Sequence, residues 1–114
     1  MASPAGLDAT FAALSDATRV AVVGLLSKEP RRAGELAEAL EMTPAAMSRH
    51  LRVLRRSGLI GEEGIDEDAR VRVYHLRKEP FDRVRNWLED VEAFWGGQLA
   101  AFQTHVEKRR RRPK

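Results

Sequence analysis

A mainly α-helical fold with one small β-hairpin, in the order α-α-α-α-β-β-α, is the fold class that this chain predicts. Three observations carry it. Apolar residues recur at helical spacing in five stretches. A single stretch, RVRVYHL, alternates with the period of a strand behind a glycine-flanked acidic turn, EEGIDEDA. The chain of 114 residues, 43% hydrophobic and 32% charged, has room for one ordinary domain and no more. We assign residues 1–107 to that domain and residues 108–114 to a flexible basic tail, expected to remain a mobile arm.

Each element has its own signal. Leu7, Phe11 and Leu14 fall at i, i+4 and i+7, which stacks them on one face of a first helix. Asp16 caps a second, whose Val20, Val22, Val23, Leu25 and Leu26 are too many for a narrow stripe and predict a central position. Residues 33–41 form a third, with Leu36, Ala37 and Leu40 inward and Glu35, Glu38 and Glu41 outward. The fourth is the best marked. Thr43 is a good cap, Pro44 occupies the first helical position, Met42 and Met47 staple the start, and Gly58 suits a left-handed end. Its inward stripe is Met47, Leu51 and Leu54; Ala45, Arg49, Arg52 and Arg56 lie opposite. Residues 59–63 and 70–77 read as the hairpin. Pro80 then opens the longest helix, where Val84, Leu88, Val91, Trp95, Leu99, Phe102 and Val106 follow steps of four and three, and Phe81, Trp87 and Phe94 add a second strip. One small domain cannot bury both strips, so a partner helix is expected, most simply from a second copy across a two-fold axis. Gly96 and Gly97 predict a kink or break in that helix.

Composition excludes much chemistry. The chain has no cysteine, which removes disulfides, thiolate metal sites and thiol catalysis. His50, His75 and His105 are scattered; His50 beside the apolar stripe reads as a structural hydrogen-bonding group, and neither metal nor any other cofactor is expected. No Gly-rich phosphate loop, paired-carboxylate pocket or activated nucleophile appears, so the chain reads as no enzyme. The longest apolar run, residues 20–26, falls far short of the roughly 20 residues of a membrane span. With no charged-then-apolar leader, the expected compartment is the cytoplasm and no membrane partner is expected.

Charge placement points to a partner. The formal net charge is +3, yet residues 43–61 hold four arginines and no acid, and residues 108–114 hold six cations. Two short helices, a tight connection, a capped helix with an arginine-rich outer face and a hairpin together make a helix-turn-helix followed by a wing. An α-helix fits the DNA major groove, and arginine forks match guanine edges or phosphates. An ordinary exposed helix would instead pair such charges at i, i+4. At the wing, Glu62, Glu63, Asp66, Glu67 and Asp68 would repel phosphate, which leaves Arg70 and Arg72 as its expected contacts. The rival from another class is a winged-helix module that meets an acidic protein or RNA without operator specificity.

The runs LSDATRVAVVGLL, ELAEALEMTPAAMSRHLRVLRRSGLI and RVYHL resemble the ArsR family of winged-helix transcriptional repressors over nearly the whole chain. The pattern S-R-H-L-x-x-L-x-x-x-G-L-I at 48–60 is the specific part, with D-x-T-R at 16–19 in support. The resemblance implies a homodimer joined through its first and last helices, so that Leu7, Phe11, Leu14, Leu88, Val91, Trp95, Leu99 and Phe102 form its interface. It also implies that Ala45, Ala46, Ser48, Arg49 and Arg52, with Thr43 and Arg56 on the same helix, face double-stranded operator DNA, while Thr18 and Arg19 reach phosphate. The metal-sensing branch of that family is not matched. Its paired cysteines would fall at Arg32 and Gly34, and its last-helix ligands at Glu92, Phe94 and Lys108. The reading is therefore a dimeric, metal-independent repressor that occludes a promoter, its own included; the sequence assigns no small-molecule inducer.

Overall fold

The structure, a computed structural model, describes residues 6–65 and 68–111, without the side chains of residues 65, 68–70 and 111. The elements are α1 (Leu7–Ala13), α2 (Ala17–Leu26), β1 (Arg31–Arg32), α3 (Ala33–Ala39), α4 (Pro44–Arg56), β2 (Ile60–Ile65), β3 (Asp68–Leu76) and α5 (Lys78–Arg111). The chain forms two compact units, Met1–Arg83 and Val84–Lys114.

The expected helices and hairpin are present, and one strand is new. β1 pairs antiparallel with β3, Arg31 opposite Tyr74 and Arg32 opposite Val73, which places β3 in the middle of a three-stranded antiparallel sheet. Two residues without alternation carry no signal of their own; β1 exists because β3 offers it a ladder. β2 pairs with the other edge of β3, with a register shift between Gly64 and Ile65. At Gly61 a Cβ would lie 2.8 Å from His75 Nε2, so the glycine admits the histidine ring across the ladder.

Helix ends follow local chemistry. Asp16 Oδ1 accepts the Arg19 N–H at 3.1 Å and caps α2. Glu35 accepts the backbone N–H of Arg32 at 3.1 Å and ties the start of α3. α3 and α4 end in the same motif, in which the residue after the cap is left-handed and two N–H groups reach back to the last turn. For α4, Gly58 takes that position at φ 79°, and Gly58 and Leu59 donate to Arg55 and Leu54. For α3 the position belongs to Glu41 at φ 53°, with Glu41 and Met42 donating to Glu38 and Ala37. The turn between the two helices is therefore a tight one held by a strained glutamate.

The core joins Val22 and Leu26 of α2, Leu36 and Ala37 of α3, Met47, Leu51 and Leu54 of α4, and Leu59 and Ile60 at the start of the sheet. Met47, Leu54 and Leu36 are wholly inaccessible. Shortening any one of them to alanine costs about 2–5 kcal/mol. Two expectations about the core are corrected. α1 buries Leu7, Thr10 and Ala13, leaving Phe11 exposed, because two small residues allow close packing and the Thr10 hydroxyl is satisfied by the Gly6 carbonyl at 3.0 Å. α2 is not buried all round, since Val20 is half exposed.

α5 also departs from expectation. It starts at Lys78, with Pro80 as its third residue, where a missing N–H leaves no bond unmade. It runs unbroken through Gly96 and Gly97, and residues 108–111 continue it instead of forming a mobile arm. The rest of the basic tail, residues 112–114, lies outside the described residues.

Candidate nucleic-acid interface

α4 is built from its cap upward. The Thr43 hydroxyl accepts the Ala46 N–H at 3.2 Å, and its own proton remains available to a further acceptor. The inward stripe anchors one face in the core, which turns Thr43, Ala45, Ser48, Arg49, Arg52 and Arg56 outward to solvent, with Ala46 half-buried at the border. Among the described residues, Arg49, Arg52 and Arg56 have no ion-pair partner. Four arginines on one helix without a single acid would repel one another in an isolated chain, and a polyanion relieves that repulsion.

The wing meets this helix through groups that sequence reasoning treated otherwise. Glu62, assigned to the repulsive tip, stands on β2 with its side chain 17% exposed and pairs with two arginines, Arg55 of α4 and Arg72 of β3, the latter at 3.0 Å. Opposite it in register is Tyr74, whose phenol is raised above its ordinary range, first by burial and then by the Glu62 charge and its hydrogen bond. Ser48 and Arg52 of α4 share a shallow hollow with Arg55 and Tyr74. Arg55, counted among the four arginines but given no contact of its own, and Tyr74 thus stand beside Ser48 and Arg52; the register that sets Tyr74 against Glu62 was the available signal. Arg72 is half exposed, so part of its guanidinium still faces outward. Arg70 lies on β3, but its side chain is outside the description, as are Asp66 and Glu67 at the tip.

Other expected contacts are placed differently. Arg19 is half-buried. Its Nε donates to the Ala13 carbonyl at 2.6 Å and its Nη2 to the Ala12 carbonyl at 3.4 Å, so the guanidinium closes the C-terminal end of α1. Thr18 is half-buried. His50 faces Asp16, Nδ1 to Oδ1 3.8 Å, and links α4 to the cap of α2. The Asp16 carboxyl is held below its ordinary range, chiefly by the Arg19 N–H and also by His50. Among the described residues no three His, Asp or Glu side chains gather to hold a metal ion. Arg32 and Gly34 line an open hollow beside Arg72 and Tyr74 that offers no soft ligand.

The residues expected at a dimer interface divide in two. Leu7 is buried within its own chain and has no surface to give, and Leu14 packs on the core. On α5, Leu88, Trp95, Leu99 and Phe102 are exposed, as is Phe94 beside them, while Val91 is half-buried. Phe94 and Trp95 touch edge to face at 6.4 Å, and Phe94 and Phe102 are each 65% exposed. A strip of that size is more than scattered surface apolarity. No single helix among the described residues is long and apolar enough to cross a membrane.

Comparison with known proteins matches residues 16–61 to the bacterial regulatory protein arsR family. The matched span runs from the cap of α2 to the second residue of β2. The chain is 34% identical over 101 residues to the HTH-type transcriptional regulator Rv2034 of Mycobacterium tuberculosis, covering 88% of both proteins. It is similar to the crystal structure of the ArsR family transcriptional regulator RHA00566, with 36% identity, a TM-score of 0.70, and coverage of 80% of this chain and 91% of that one. It is similar also to an ArsR-like transcriptional regulator from Rhodococcus sp. RHA1, with 29% identity, a TM-score of 0.73, and coverage of 91% and 93%. With its winged helix-turn-helix and its exposed arginine face, the chain belongs to the ArsR family of DNA-binding transcriptional regulators.

Proposed function

We propose that the protein is a homodimeric, sequence-specific repressor that needs no metal and acts by covering a promoter, its own included. The observation that carries this reading is the outer face of α4, where Arg49, Arg52 and Arg56 are exposed and without ion-pair partners among the described residues. In this arrangement α4 enters the major groove, Ser48, Arg49 and Arg52 meet base edges, and Thr43 and Arg56 meet phosphates nearby. Arg72, with Arg70 on the same strand, lies along the backbone. The α5 strip of Leu88, Trp95, Leu99 and Phe102, with Val91, closes against the same strip of a second copy. Two recognition helices then address half-sites about one helical turn apart. Metal independence follows from the absence of cysteine and from Glu92, Phe94 and Lys108 at the positions of the family's last-helix ligands.

The test is a gel shift with the DNA upstream of the protein's own coding region, competed by unrelated DNA, followed by selection of bound sequences from a random pool. A retained, sequence-dependent complex at two-fold symmetric sites is expected. Equal competition by unrelated DNA would remove the operator-specific reading.

A further inference from the structure

We propose that Glu62 is a positioning residue for DNA recognition, holding Arg55 of α4 and Arg72 of β3 on one carboxylate so that helix and wing meet DNA as a single prearranged surface. The inference rests on the DNA-binding reading above and deepens it.

An acid on a face that meets a polyanion is unfavourable by charge alone. Glu62 stands there nonetheless, with two guanidinium groups and the Tyr74 hydroxyl around it. The partners come from two elements other than its own. Arg55 lies in the last turn of α4, Arg72 and Tyr74 lie on β3, and Glu62 itself is the third residue of β2, the outer strand of the hairpin. A carboxylate accepts from two forks at once, which an amide or a shorter acid cannot do with equal reach. Long arginine side chains lose rotamer freedom when they bind phosphate, and a bridge that has already restricted them lowers that cost. Both guanidinium groups remain half exposed, so each keeps donors for DNA while anchored.

The neighbouring acid provides the control. Glu63 precedes the same turn on the same strand, is exposed, and makes no ion pair among the described residues. Because strand residues alternate, its side chain leaves the opposite face of the sheet. Glu62→Gln and Glu63→Gln therefore remove the same charge one residue apart, and only the first removes the bridge.

The experiment measures binding of the full-length protein to its selected operator and to random duplex DNA by fluorescence anisotropy from low to moderate salt, for the parent, E62Q, E63Q and E62D. Loss of one acid should raise random-DNA affinity in E62Q and E63Q alike. Operator affinity should fall roughly 5- to 100-fold in E62Q relative to E63Q, the range for coupled neighbouring groups. E62D keeps the charge but withdraws the carboxylate by one methylene group, so it too should lose operator affinity while its random-DNA affinity stays parental. Thermal unfolding of each variant identifies any that is not folded at the assay temperature, and E62D then stands in for E62Q. Equal operator affinities for E62Q and E63Q, or a parental value for E62D, overturn the positioning role. A parent that shows no sequence preference overturns the functional reading itself, and the two failures are thereby distinct.

Discussion

Replacing Arg52 by alanine removes an exposed guanidinium from the middle of α4, one that has no ion-pair partner among the described residues. The folded chain should hardly notice, since surface substitutions away from caps and bridges stay within about 0.5 kcal/mol. DNA binding should notice strongly. A guanidinium that reads a guanine edge is worth about 1–3 kcal/mol of discrimination. In a symmetric dimer the loss occurs in both half-sites, so about 2–6 kcal/mol is expected, or roughly 30-fold to 10⁴-fold in operator affinity. Salt separates the two kinds of contact. A base contact leaves the slope of log affinity against log salt unchanged, whereas two lost phosphate contacts lower it by about 1.8. Anisotropy titrations of operator and random DNA at several salt concentrations read both quantities. Arg49→Ala is the companion variant, and Arg55→Ala is not, because it also breaks the bridge to Glu62. If R52A and R49A both bound operator as tightly as the parent, the outer face of α4 would not be the reading surface.

Leu88→Asp and Leu99→Asp each place a charge in the proposed α5 interface, and sedimentation should show monomers with operator affinity reduced to that of one half-site. Operator affinity should stay constant when stoichiometric zinc or a chelator is added, and reversible release by zinc would contradict metal independence. Glu41→Gly relieves a left-handed glutamate in the helix-turn-helix turn and should raise stability by about 0.5–1 kcal/mol in denaturant unfolding, with DNA affinity unchanged. Asp16→Ala removes the cap of α2 and should lower stability at pH 7. The Asp16 carboxyl is depressed in the folded chain, so its contribution is present above the ordinary carboxylate value and lost as pH falls through the lower folded one. The stability gap between the parent and D16A should accordingly narrow below about pH 4, the ordinary range for an aspartate.

What was legible in the sequence was local. α4 is marked by a capping hydroxyl, a proline, an apolar stripe and a terminal glycine, all within one segment, and each of these features is present in the structure. Features that depend on distant partners were not legible. β1 is a strand only because β3 pairs with it. Glu62 counted as a repulsive charge until register and the end of α4 set two arginines beside it. Arg19 belonged to a motif that suggested phosphate, but the carbonyls left open at the end of α1 claim its guanidinium. In α1, spacing favoured Phe11 over Thr10, and a hydroxyl bonded to its own helix reversed the order. Gly96 and Gly97 predicted a break on propensity, yet α5 is continuous there.

The short strand β1 makes the connection between α2 and α3 a measured length. Arg31 must face Tyr74 and Arg32 must face Val73, and one residue more or less upstream would exchange the sides of the sheet on which the two arginines stand. In the hairpin the register shifts between Gly64 and Ile65, whereas both pairs of β1 are regular. Insertions and deletions should therefore be rejected at Arg31 and Arg32. A reporter peptide, a label or a regulatory segment grafted into this regulator should stay clear of β1, whose register against β3 it would disturb.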